Sequence, residues 1–139
     1  MSGFGIAVRI LVVDDHRESA RATRLLLELM GHEATLSYDG TSAIDHARTV
    51  VPDAVLLDGH MPGIDGYETC RRLRALAPLR TAVIIALTGA SDEGVMALAR
   101  EAGFDLAVSK PFKIEEIQQA LELLAGAGPE REAIRRSAS

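Results

Sequence analysis

The feature that most constrains this chain is a short, unbroken, β-branched run that stops on two carboxylates: Ile10-Leu11-Val12-Val13, then Asp14-Asp15. A continuous apolar run of this length reads as a strand buried on both faces, as in a parallel sheet covered by helices. Ala54–Leu57 and Ala82–Leu87 repeat the pattern, and each stops on a polar residue, Asp58 and Thr88. Leu106–Val108 is a weaker fourth run, followed by Ser109 and Lys110. Ala34–Leu36, after Gly31 and His32, predicts an edge strand.

Helical patterns separate these runs. Ala22, Leu25, Leu26 and Leu29 fall at i, i+3, i+4 and i+7 and predict the inward face of a first helix, with Gly31 as its stop. A second helix is expected over Thr41–Val50, ended by Pro52. Asp65 is placed to cap a third, from about Gly66 to Ala75. Ser91 or Asp92 is placed to cap a fourth, which Gly103 ends, and Ile114, Ile117, Leu121 and Leu124 line the inner face of a last one. Five strand–helix units in alternation imply an α/β fold, a doubly wound parallel sheet. Residues 1–125 are expected to form this domain. From Ala125 to Pro129 the periodicity gives way to a breaker segment, so 126–139 is expected to be a polar tail or a linker stub.

Composition excludes several classes. Aromatic residues are 4% and Trp is absent, so the core must be aliphatic. The net charge of −5 argues against a nucleic-acid surface, which would carry a basic stripe. No apolar run approaches the roughly 20 residues of a membrane helix, and the start lacks a signal-peptide pattern. Cys70, the single cysteine, excludes an internal disulfide and is expected to be inert within a helix. A cytoplasmic protein working through other proteins, without nucleic acid or membrane, is the expectation.

If the strands are parallel, Asp14, Asp15, Asp58, Thr88 and Lys110 gather at one sheet edge. Three packed carboxylates repel and raise one another's pKa, a cost that a divalent cation removes. Mg²⁺ suits such a site, because it takes oxygen ligands and keeps several waters. Lys110 and Thr88 add a cation and a hydroxyl donor, as a phosphoryl group in transfer requires. A carboxylate nucleophile needs no general base.

The segments "ILVVDDH", "AVLLDGHMPGIDGYE", "VIIALTGA" and "SKPF" resemble, in order and separation, the four signature segments of the response-regulator receiver family. The resemblance spans roughly Arg9 to Leu124 and extends to chemotaxis-regulator-like and hybrid-kinase receivers. It implies a flavodoxin-like sheet of strand order 2-1-3-4-5 and a phosphorelay function. Asp58 would accept a phosphoryl group from a histidine kinase or a histidine phosphotransfer protein, and the change would switch contacts with a downstream protein. Asp15 would bind Mg²⁺ directly, Asp14 directly or through water, and Asp58 and the main-chain carbonyl of His60 would complete the protein ligands. Thr88 and Lys110 would contact phosphoryl oxygens, assisted by backbone N–H groups near Gly89 and His60. Lys110–Pro111 would be a cis peptide. Such a protein modifies itself and is not an enzyme in the turnover sense.

One departure concerns Ala107, where receivers commonly carry Tyr or Phe; it puts the usual aromatic switch in doubt. His16 and His60 flank the site, but an imidazole metal site is disfavoured where hard oxygen donors dominate. Arg17, Arg21 and Arg24 read as a solvated face, although the first helix of this family commonly docks the phosphodonor. Three rivals remain. A haloacid-dehalogenase-like phosphohydrolase would need a second Asp two residues after its nucleophile, and His16 and Arg17 follow Asp15 instead. A flavodoxin-like cofactor binder would need a glycine-rich loop after the first strand. A non-phosphorylated docking receiver would not need all five site residues.

Overall fold

The computed structural model describes residues 7–61, 63–89 and 93–125. The strands are β1 (Arg9–Val13), β2 (Glu33–Ser37), β3 (Ala54–Asp58), β4 (Val83–Thr88) and β5 (Leu106–Ser109). Between and after them run α1 (Arg17–Leu29), α2 (Gly40–Thr49), α3 (Gly66–Arg74), α4 (Glu93–Ala102) and α5 (Ile114–Ala125), with a short 3₁₀ turn at Ala77–Leu79. All strand pairs are parallel and the order is β2-β1-β3-β4-β5, the doubly wound, flavodoxin-like arrangement.

Each apolar run divides its residues between two cores, because successive strand side chains point to opposite faces. Leu11, Val13, Val55, Leu57 and Ile84 pack under α2, α3 and α4. Ile10, Val12, Leu56, Ile85 and Leu87 pack with Leu27, Ile117 and Leu121 of α1 and α5. Both faces being covered explains why the runs are continuous rather than alternating.

Local chemistry closes the helices as their residues dictate. Asp65 Oδ1 accepts from the Glu68 N–H at 2.9 Å, and Asp39 Oδ1 from the Ser42 N–H at 2.7 Å. That second bond holds the Asp39 carboxyl below its ordinary pKa. Gly31 and Gly103 follow α1 and α4 with φ of 95° and 107°, a conformation that only glycine adopts without strain. The cap expected at Ser91 or Asp92 and the tail beyond residue 125 lie outside the described residues.

The face expected for α1 is corrected. Ala20, Thr23 and Leu27 are buried, whereas Leu25, Leu26 and Leu29 are 58%, 42% and 71% exposed. Leucines cover more than half of this helix's circumference, so two stripes compete on apolarity alone. The small side chains of Ala20 and Thr23 allow the helix to approach the sheet closely, and that stripe faces inward.

The C-terminal end of α3 is tied to the turn before β5. Arg74 donates to the carbonyls of Leu79, Ala82 and Gly103 and pairs with Asp105 Oδ2 at 2.8 Å. The Asp105 side chain is fully buried and also accepts from the Ile84 N–H. Ala107 is half-buried against the same core as Tyr67 and Phe104, whose rings meet edge to face at 6.1 Å.

Candidate functional site

The register gathers the polar strand ends. Val13 lies beside Leu57, so Asp14 follows at the level of Asp58. Asp58 lies beside Leu87, and Thr88 beside Ser109, with Lys110 next along the chain. Backbone bonds extend the pairing into the loops: Gly59 N–H donates to Leu87 O, and Lys110 N–H to Thr88 O at 2.7 Å. Lys110–Pro111 is cis.

Asp14, Asp58 and Thr88 are almost fully buried, and Asp15 is partly exposed. Asp58 Oδ1 accepts from the His60 N–H at 3.0 Å, and Asp58 Oδ2 faces Lys110 Nζ at 3.4 Å. Asp14 Oδ1 accepts from the His16 N–H at 2.9 Å. Burial pushes the Asp14 carboxyl above its ordinary pKa and the neighbouring Asp58 adds to this; the His16 N–H and Lys110 pull the other way. Asp15 Oδ1 is buried without a hydrogen-bond partner.

The set can hold a cation. Donor atoms of Asp14, Asp15, His16 and Asp58 all lie within 4.8 Å of one another. Three carboxylates against one ammonium leave an excess of negative charge, and Asp15 Oδ1 accepts no hydrogen bond from the described residues, a place that a metal would fill beside the His16 ring nitrogen 3.3 Å away. Gly89, the residue after β4, is exposed, and so is His60.

The structure thus brings Asp14, Asp15, Asp58 and Lys110 together, with Thr88 on the adjoining strand end. Two contributors were not expected from the sequence. His16, set aside in favour of oxygen donors, joins the cluster; its signal was its place directly after the Asp pair. Gly66 is the other: a Cβ there would collide with the carbonyl oxygen of Asp58. Nothing in the sequence marks that contact, because Gly66 is separated from Asp58 by a loop.

A cleft of about 300 Å³ opens beside the cluster, lined by Ala22, Thr23, Leu26, Lys110, Pro111 and Phe112 and reaching Asp14. Leu26, one of the exposed leucines of α1, belongs to this lining.

A doubly wound sheet with an acidic cluster and a lysine at its carboxyl edge defines a class of phosphorelay signalling domain. Residues 10–122 match the family model of the response regulator receiver domain, and the chain belongs to that family. It is 36% identical over 119 residues to the response regulator MprA of Mycobacterium tuberculosis, covering 86% of this chain and 51% of that protein. MprA of a Mycobacterium species (strain KMS) is 38% identical over 117 residues, covering 84% and 50%. The chain therefore spans about half the length of these curated relatives.

Among solved structures, the receiver domain of the sensor histidine kinase PA1611 from Pseudomonas aeruginosa superposes with a TM-score of 0.79 at 33% identity, over 87% of this chain and 99% of that one. That structure has a magnesium ion coordinated in its active-site cleft. The chemotaxis protein CheY4 of Vibrio cholerae shares the fold, with a TM-score of 0.81 at 23% identity over 86% and 99%. Family membership makes residues 10–122 a receiver domain of phosphorelay signalling, and it disfavours the phosphohydrolase and flavin-binding alternatives. No helix among the described residues is long and apolar enough to cross a membrane.

Proposed function

We propose that Asp58 is the phosphoacceptor of this receiver and that phosphorylation switches its contacts with a downstream protein. The observation that carries this reading is a buried carboxylate at a central strand end, one oxygen held by the His60 N–H and the other facing Lys110 at 3.4 Å. An Asp58 oxygen attacks the phosphorus of a phosphohistidine donor, the P–N bond breaks, and the donor imidazole leaves. A carboxylate nucleophile needs no base to remove a proton.

Asp14, Asp15, Asp58 and the main-chain carbonyl of His60 would hold Mg²⁺, which supplies charge neutralisation for the phosphoryl group. Lys110 and Thr88 would meet phosphoryl oxygens, with the N–H of Gly89 as a further donor. The cleft beside α1 and its exposed leucines would receive the donor, a histidine kinase or a histidine phosphotransfer protein. That leaves the α1 surface apolar at Leu25, Leu26 and Leu29 for a reason that packing does not provide. Residues 1–125 would be the working domain, in the cytoplasm, and 126–139 a tail or a linker.

Intact-mass spectra with acetyl phosphate and Mg²⁺ test the assignment. One phosphoryl mass should be gained by the wild type and none by Asp58→Asn. Labelling of Asp58→Asn at wild-type stoichiometry would refute it. Lys110→Ala should keep some labelling and lose the change in target affinity.

A further inference from the structure

The acidic cluster contains one donor of different chemistry. His16 directly follows the Asp pair and is the N-cap residue of α1, yet its side chain makes no capping hydrogen bond. Its Nδ1 lies 3.3 Å from Asp15 Oδ1 and 3.5 Å from Asp14 Oδ1. The approach to Asp15 is not a hydrogen bond, since that oxygen has no such partner among the described residues. The ring nitrogen thus stands at ion-pair distance from both carboxylates, with no hydrogen bond joining it to Asp15.

Their spacing suits two ligands of one ion. Donors about 2.1 Å from a shared cation are about 3.0 Å apart at octahedral right angles and about 3.4 Å apart at tetrahedral angles. Opposite octahedral donors are about 4.2 Å apart, and the four donor atoms here span no more than 4.8 Å. Shifts of a few tenths of an ångström would seat all four. The side chain of His16 is 73% exposed, so no packing opposes such a shift.

We propose that His16 is a fourth side-chain ligand of the cation site and tilts it from Mg²⁺ towards first-row transition ions such as Mn²⁺ and Co²⁺. This rests on the reading that Asp14, Asp15 and Asp58 hold a divalent cation. Imidazole is a borderline donor that suits transition ions, whereas Mg²⁺ prefers oxygen and sheds water reluctantly. A nitrogen ligand therefore adds affinity selectively. The receiver would then be loaded by whichever divalent ion is available, with transition ions effective at lower concentration.

Calorimetric titration of the tag-free chain with MgCl₂ and, separately, CoCl₂ tests this in the wild type, His16→Ala, His16→Gln and Asp14→Asn. Losing a direct ligand should cost at least the roughly tenfold typical of outer-shell losses, so both His16 variants should bind Co²⁺ about tenfold more weakly or worse. Mg²⁺ affinity should stay within about twofold in the same variants, since oxygen donors and water carry it. In the wild type, substoichiometric Co²⁺ should shift or broaden the ring resonances of His16. Equal losses for both ions, or unchanged Co²⁺ affinity, would overturn the role of His16. If Asp14→Asn weakens both ions while His16→Ala weakens neither selectively, that role alone falls. If neither ion binds the wild type, the underlying metal-site reading falls and takes the inference with it. The phosphoacceptor assignment is read separately, by the mass of Asp58.

Discussion

Asp14→Asn should make the metal-free protein more stable, although it alters a buried site residue. Asp14 is 4% exposed, and burial and Asp58 both disfavour its charge. Asn keeps the oxygen that accepts the His16 N–H, so the hydrogen bond at 2.9 Å survives. What is lost is charge. Donor atoms of the carboxylates lie within 4.8 Å, and unit charges at that distance repel by about 3 kcal/mol at an effective dielectric of about 20. Lys110 offsets part of this by attracting Asp14. A net gain of about 1–2 kcal/mol is expected, which for a chain of this size raises Tm by roughly 3–6 °C. Calorimetric melting in a chelator measures it. With Mg²⁺ at about 100 times its Kd the gap should close, because the folded wild type gains about 2.7 kcal/mol and a variant that binds about tenfold more weakly gains only about 1.4 kcal/mol. A metal-free variant that melts below the wild type would refute the like-charge account.

Four further outcomes follow from the packing. Leu27→Ala should cost about 2–5 kcal/mol, as core truncations do, while Leu29→Ala should stay within about 0.5 kcal/mol and slow transfer from a histidine donor but not from acetyl phosphate. Gly66→Ala should lower stability by about 1–3 kcal/mol as α3 is forced off the Asp58 carbonyl, and its acetyl-phosphate labelling rate should drop with it. Arg74→Met strands the buried Asp105 carboxylate and should cost about 3–5 kcal/mol in urea melts, with Arg74→Lys recovering part. Asp39→Ala removes a helix cap worth about 1 kcal/mol at neutral pH. Its folded pKa is lowered, so this contribution is present above the ordinary carboxylate pKa and fades as pH falls through the lowered one. Wild-type and variant melting curves should therefore converge in acid.

Much of the fold was legible because its signals are local. A continuous apolar run of four residues reports burial on both faces without reference to any partner, and a parallel sheet follows once strand runs alternate with five helices. Asp65 and the glycines at 31 and 103 mark helix ends through bonds and dihedrals within one turn. The strand ends carrying Asp14, Asp58, Thr88 and Lys110 were legible for the same reason, each standing where an apolar run stops.

Only tertiary structure could decide the rest. Which stripe of α1 faces inward depends on how closely the helix approaches the sheet, and Ala20 and Thr23 outweigh three leucines there because small side chains permit the closer packing. The place of His16 among the carboxylates depends on β1 and β3 lying side by side in register, which brings residues 14 and 58 together across 44 positions of chain. The contact of Gly66 with the Asp58 carbonyl arises where the loop after β3 turns back on itself. Periodicity along a chain states which residues are apolar and where elements stop, whereas the distances that make a site depend on register and helix approach, which are properties of the packed molecule.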